Sequence, residues 1–78
     1  MKAGDMVYYL YTDKNGTNIK FAAIVLSQES EGILIRVGRY DVHSKEVSTF
    51  ESTVPESLIQ PRSVPCAYED ELNTTPPA

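Results

Sequence analysis

His43 is the only imidazole in the chain and Cys66 the only thiol, so covalent and acid–base chemistry has few candidate groups. His43 follows Asp41 and precedes Ser44 in a polar stretch, "DVHSK". A general base needs a positioned partner and an enclosed pocket, and a short loop on a small domain supplies neither. Cys66 lies between Pro65 and Ala67 with only acidic charges after it. Acidic neighbours raise a thiol pKa, which is the opposite of what a nucleophile needs. The consecutive acids Glu69, Asp70 and Glu71 diverge on an extended chain and do not gather around a hard cation. The expectation is therefore no catalytic residue, no metal site, no cofactor and no enzyme.

Recognition chemistry is better represented. Arg36, Arg39 and Tyr40 stand close together, and an arginine pair beside an aromatic ring can clamp a carboxylate or stack on a base. Gly38, between Arg36 and Arg39, suggests a bulge that changes the face of Arg39 and Tyr40. The other concentration of rings is "GDMVYYLY", residues 4–11, with Tyr8, Tyr9 and Tyr11. In a strand successive side chains alternate faces, so Val7 and Tyr9 point one way and Met6, Tyr8 and Leu10 the other. Tyr9 is the ring expected in the core.

These residues have to be carried by strands. Short apolar runs bounded by turn formers mark an all-β domain. The runs are Met6–Tyr11, Phe21–Ser27, Gly32–Asp41, a more polar Glu46–Ser52 suited to a sheet edge, and Leu58–Pro61. Within the third, Ile33, Ile35 and Val37 alternate with Leu34, Arg36 and Gly38, as in a half-buried antiparallel strand. Asn15-Gly16 closes the first hairpin and "SQESEG" the second. "TVPES" has room for a single 3₁₀ turn, because Pro61 arrives too soon for a helix. No stretch shows helical periodicity. Residues 1–62 are thus expected to form the domain and residues 63–78 an acidic, proline-containing tail, with its last six or more residues disordered.

The second run is apolar on both faces: Ala23 and Val25 on one, Ala22, Ile24 and Leu26 on the other. With Met6, Tyr8 and Leu10 the second set makes an outer apolar stripe, and stripes of this kind are usually covered. The cover is either the tail, through Val64, Ala67, Tyr68 and Leu72, or a second copy of the chain.

Charge narrows the partners. All seven basic residues fall in residues 1–62 against eight of the eleven acids, and the net charge of −4 belongs mostly to the tail. Nucleic-acid affinity comes largely from basic residues on phosphates, so the acidic balance disfavours it outside the Arg36–Arg39 region. One cysteine permits no internal disulfide, and the N-terminus has no apolar signal core, so a reducing cytoplasmic setting without a membrane span is expected.

Five short strands with a 3₁₀ turn before the last one resemble the SH3-like small barrels, including Tudor-like and KOW-like domains. "GDMVYY" is similar to their first strand, "AAIVLSQESEGILIRV" to their central hairpin and "VPESLIQPR" to their closing turn, over residues 3–62. The resemblance implies a five-stranded barrel and, by branch, different ligands. Proline-peptide SH3 domains use a tryptophan, which this chain lacks. Tudor-like domains use an aromatic cage, for which Tyr8, Tyr9, Tyr11, Phe21, Tyr40 and Phe50 are candidates. The tetrameric plasmid-type dihydrofolate reductases carry a Val-Gln-Ile-Tyr strand where this chain has "STFES". The expected function is a non-catalytic protein-binding or assembly module that self-associates through Met6, Tyr8, Leu10, Ala22, Ile24 and Leu26. The alternatives are a weak nucleic-acid binder using Arg36, Arg39 and Tyr40, and an oligomeric enzyme with its site on a symmetry axis.

Overall fold

A computed structural model of the chain describes residues 1–73. It is all-β apart from one short helix: β1 (Met6–Thr12), β2 (Asn18–Glu29), β3 (Gly32–Asp41), β4 (Glu46–Val54), a 3₁₀ turn (Glu56–Leu58), β5 (Ile59–Pro61) and α1 (Glu69–Asn73). The strands form one antiparallel sheet in the order β4-β3-β2-β1-β5. β4 and β5 do not pair with each other, so the sheet is open where a closed barrel was expected. It is bent all the same, because Val54 of β4 and Ile59 of β5 enter one core cluster.

Local chemistry sets the turns. The Asp13 carboxylate accepts from the backbone N–H groups of Asn15 and Thr17, both at 2.9 Å, and Gly16 takes the positive φ of 83° that closes the loop. In the β3–β4 turn Asp41 plays the same part for the N–H of His43, at 2.8 Å. Pro55, with φ −64°, starts the 3₁₀ turn, whose first bond runs from the Leu58 N–H to the Pro55 carbonyl.

Face parity follows the strand alternation. The inner face buries Val7, Ala23, Val25, Ile33, Ile35, Val37, Val54 and Ile59, with Tyr9 and Phe21 packed at its margin. The outer face has a second cluster of Ala22 and Ile24 with Met6 and Leu26 around them, and Leu72 of α1 closes it. The bulge expected at Gly38 lies instead in β2, where the register shifts between Val25 and Ser27. β3 passes Gly38 in unbroken register with β4, from Ile33↔Val54 to Asp41↔Glu46.

The tail departs most from expectation. It turns into α1, and Leu72 is fully buried against the sheet. Asn73 belongs to that helix, so the disorder expected from this residue onward is not found at its start; residues 74–78 lie outside the described residues.

Candidate binding site

Two surfaces have to be told apart, one on each face of the sheet. On the outer face the tail is held by a buried ion pair. Arg62, directly after β5, is 5 % exposed and aims its guanidinium under the tail. Its Nε donates to the Val7 carbonyl at 3.0 Å and its Nη2 to the Ala23 carbonyl at 2.9 Å. Nη1 and Nη2 both also donate to the Glu69 carboxylate, the latter at 3.1 Å. Each buried charge thus has its partner and its remaining hydrogen bonds, which is the condition for tolerating burial. The Arg62 guanidinium holds the Glu69 carboxyl below its ordinary value, and Glu69 in turn raises Arg62. Glu69 reaches back to the N–H of Cys66 at 3.1 Å, which fixes the start of the helical turn.

Arg36 pins the other end of α1. Its Nη1 donates to the Leu72 carbonyl at 3.0 Å and its Nη2 to Glu51 on β4 at 3.1 Å. The tail also packs over Gly38 of β3, where an added Cβ would meet Tyr68 and Leu72 at 2.6 and 2.8 Å. The Tyr68 ring stacks on Tyr40 at 6.5 Å and 8°. Tyr8 completes this face beneath two cations, with Lys20 Nζ 5.6 Å and Arg62 Cζ 5.9 Å from its ring centre.

This arrangement bears directly on the six residues expected to form an interface. Ala22 and Ile24 are buried, and Met6, Tyr8, Leu10 and Leu26 are half-buried, so none of the six is left openly exposed. The chain's own tail packs on Ala22, Ile24, Met6 and Leu26 through Leu72, Tyr68 and Cys66. The ligand set Arg36, Arg39 and Tyr40 is divided as well. Without a bulge at Gly38, Arg36 and Tyr40 stay on the outer face with α1, and Arg39 points to the inner one.

On the inner face, beyond the end of the aliphatic core, Tyr9, Tyr11, Phe21, Phe50 and Arg39 line an open cleft of about 280 Å³. β1 and β2 supply three of the rings in register, Tyr9 directly opposite Phe21 and Tyr11 next along the strand. Tyr9 stacks on Phe21 at 6.5 Å and 26°, and Tyr11 tilts against both, at 6.3 and 6.2 Å. Phe50 reaches in from β4, and Arg39 from β3 beside it. Tyr11 and Phe50 are 43 % and 46 % exposed, so the far walls of the cleft face solvent. The Arg39 guanidinium has no hydrogen-bond or ion-pair partner among the described residues.

Four of the six rings proposed for an aromatic cage therefore converge, and Tyr8 and Tyr40 lie on the opposite face. The charge beside them has the wrong sign for a methylated lysine or arginine, because Arg39 repels a cation at the mouth. A flat apolar group on the rings with an anionic group at Arg39 suits the cleft better.

His43 is exposed in its turn. Cys66 is half-buried, packed against the outer-face cluster just before α1, and burial pushes its thiol pKa up. Among the described residues no group of three or more His, Cys, Asp and Glu is placed to hold a metal, and no helix is long and apolar enough to cross a membrane. Sequence reasoning missed Arg62 and the Gly38 seat. A glycine on the outer parity of an otherwise regular strand was the available sign, since a strand glycine marks close approach as well as a bulge. No protein-family model, curated protein or solved structure matches the chain.

Proposed function

We propose that the chain is a small non-catalytic binding module that recognises an extended segment of a partner protein in the cleft of Tyr9, Tyr11, Phe21, Phe50 and Arg39. The observation that carries this reading is the convergence of four rings from β1, β2 and β4 around an arginine whose charge is unpaired among the described residues. Exposed aromatic surface is costly unless it is used, and a partnerless guanidinium beside it selects a carboxylate. The ligand would place an aliphatic or proline side chain on the rings and an Asp or Glu at Arg39. The strand order and the 3₁₀ turn before β5 support placing the module among the SH3-like folds.

A peptide library displayed on phage and selected on the intact chain tests this. The expected outcome is enrichment of sequences pairing an acidic residue with an aliphatic or proline residue, with binding lost in Tyr11→Ala and Arg39→Ala at unchanged circular dichroism. Selected peptides whose binding ignores both substitutions would place recognition elsewhere.

The same pairing of ring and guanidinium supports a second reading, a weak single-stranded nucleic-acid site in which a base stacks on Tyr11 or Phe50 and Arg39 meets a phosphate. Retention on a single-stranded DNA resin at low salt, lost in Arg39→Ala, would favour it. The −4 net charge opposes it.

A further inference from the structure

The two edges of the sheet are treated very differently. β5 is three residues long and ends in Pro61, and Arg62 follows to cap the neighbouring carbonyls. These are the devices that keep an edge from pairing with another chain. β4 has none of them. It runs for nine residues, "EVSTFESTV", with no proline, glycine or lysine inside it, and its register with β3 is free of bulges from end to end. Phe50 stands at its centre, 46 % exposed.

We infer that β4 is a self-pairing edge: two copies of the chain join antiparallel through it about a twofold axis at Phe50, giving one continuous ten-stranded sheet. The sequence of β4 decides both the occupant and the register. A twofold axis that keeps the inner faces together pairs residues of like parity. An axis at Phe50 sets Phe50 across from Phe50, Ser48 across from Ser52, Val47 across from Thr53 and Thr49 across from Glu51. Opposed aromatic rings stabilise such a pair, and no like charges meet. Moving the axis to Glu51 would oppose two carboxylates, and moving it to Thr49 would set Phe50 against Ser48. Of these three registers, only the one at Phe50 pairs the rings without opposing like charges. In that register each Phe50 lies at the junction of the two clefts, so the partner's Phe50 extends the ring surface of either one. The pairing does not depend on what the cleft binds.

Sedimentation velocity on the intact chain, over a concentration series from micromolar to millimolar, tests it with three exposed-site variants. The wild type is expected to pass from monomer to dimer. Thr49→Lys creates two Lys–Glu contacts across the axis and Thr49→Glu two Glu–Glu contacts, so the dissociation constant should fall in the first and rise in the second, each on the order of ten-fold. Phe50→Lys opposes two cations at the axis and should leave a monomer. Circular dichroism of each variant controls for folding. A wild type that stays monomeric throughout overturns the inference, and so does a dimer whose dissociation constant is the same for Thr49→Lys and Thr49→Glu.

Discussion

The Cβ that any other residue would bring to position 38 falls 2.6 Å from Cε2 of Tyr68, so Gly38 and Tyr68 are in contact only because Gly38 has no side chain. The backbone at Gly38 does not take positive φ, and an alanine there would meet no conformational penalty of its own. In an isolated strand Gly38→Ala would be neutral or stabilising. Here the methyl group collides with Tyr68 and Leu72, and α1 has to move. Gly38→Ala is therefore expected to destabilise the chain and to speed proteolytic cleavage between residues 63 and 68. In a Leu72→Ala background, where one colliding side chain is already shortened, the same substitution should cost less. Equal cost in both backgrounds would show that the two sites do not communicate.

Leu72 is the one fully buried apolar side chain of the tail among the described residues. Leu72→Ala should lower the unfolding free energy by about 2–4 kcal/mol, the range for truncating a buried leucine where the site collapses incompletely. Val64, also in the tail but 68 % exposed, gives the contrast. Val64→Ala should change stability by no more than about 0.5 kcal/mol. Urea titration of both variants checks the pair of values, and equal effects would mean that the tail does not dock through Leu72.

The Arg62–Glu69 pair predicts how stability depends on acid. Because Arg62 holds the Glu69 carboxyl below its ordinary value of 4.5, the folded chain binds that proton less readily than the unfolded chain. The stability this contributes is present above the ordinary value and is lost as the pH falls through the lower folded one. The thermal midpoint of the wild type should exceed that of Glu69→Gln near neutrality, and the gap should narrow below about pH 4.5 as the carboxyl is protonated. A gap that stays constant into acid would assign the effect of Glu69→Gln to packing and not to the charge.

Much of the sheet was legible because period-two alternation reports face directly. Ile33, Ile35 and Val37 are all buried on one face, Val7 and Tyr9 share it, and Glu46–Val54 is an edge strand as its polar composition suggested. The apolar outer side of β2 also announced correctly that something had to cover it. The choice of cover was not legible, because it turns on Arg62 meeting Glu69 and on the space above Gly38, relations between residues far apart in the chain. A five-residue helix held by tertiary contacts has too few turns to leave a periodic signal, which is why no helix was expected in the tail. The same long-range geometry decided the fate of the candidate sites. Arg36, Arg39 and Tyr40 are neighbours in sequence and lie on two faces, whereas Tyr9, Phe21, Arg39 and Phe50 come from four strands and meet.

Cys66 reports on the docking of the tail from the inside. Its thiol is half-buried, and burial raises its pKa, with Glu69 acting in the same direction and the Tyr68 backbone N–H and Arg62 opposing. Two conditions then limit its reaction with a disulfide reagent: the thiolate is scarce, and the thiol packs against the outer-face cluster that Leu72 of α1 closes. At about pH 8 the native chain should react several-fold more slowly than after denaturation, and the rate should keep climbing with pH beyond the ordinary cysteine range. Gly38→Ala, which lifts α1 without touching the thiol, should bring the native rate toward the denatured one. A native rate equal to that of free cysteine would place the thiol outside the packed face, and an unchanged rate in Gly38→Ala would mean that the helix does not guard it.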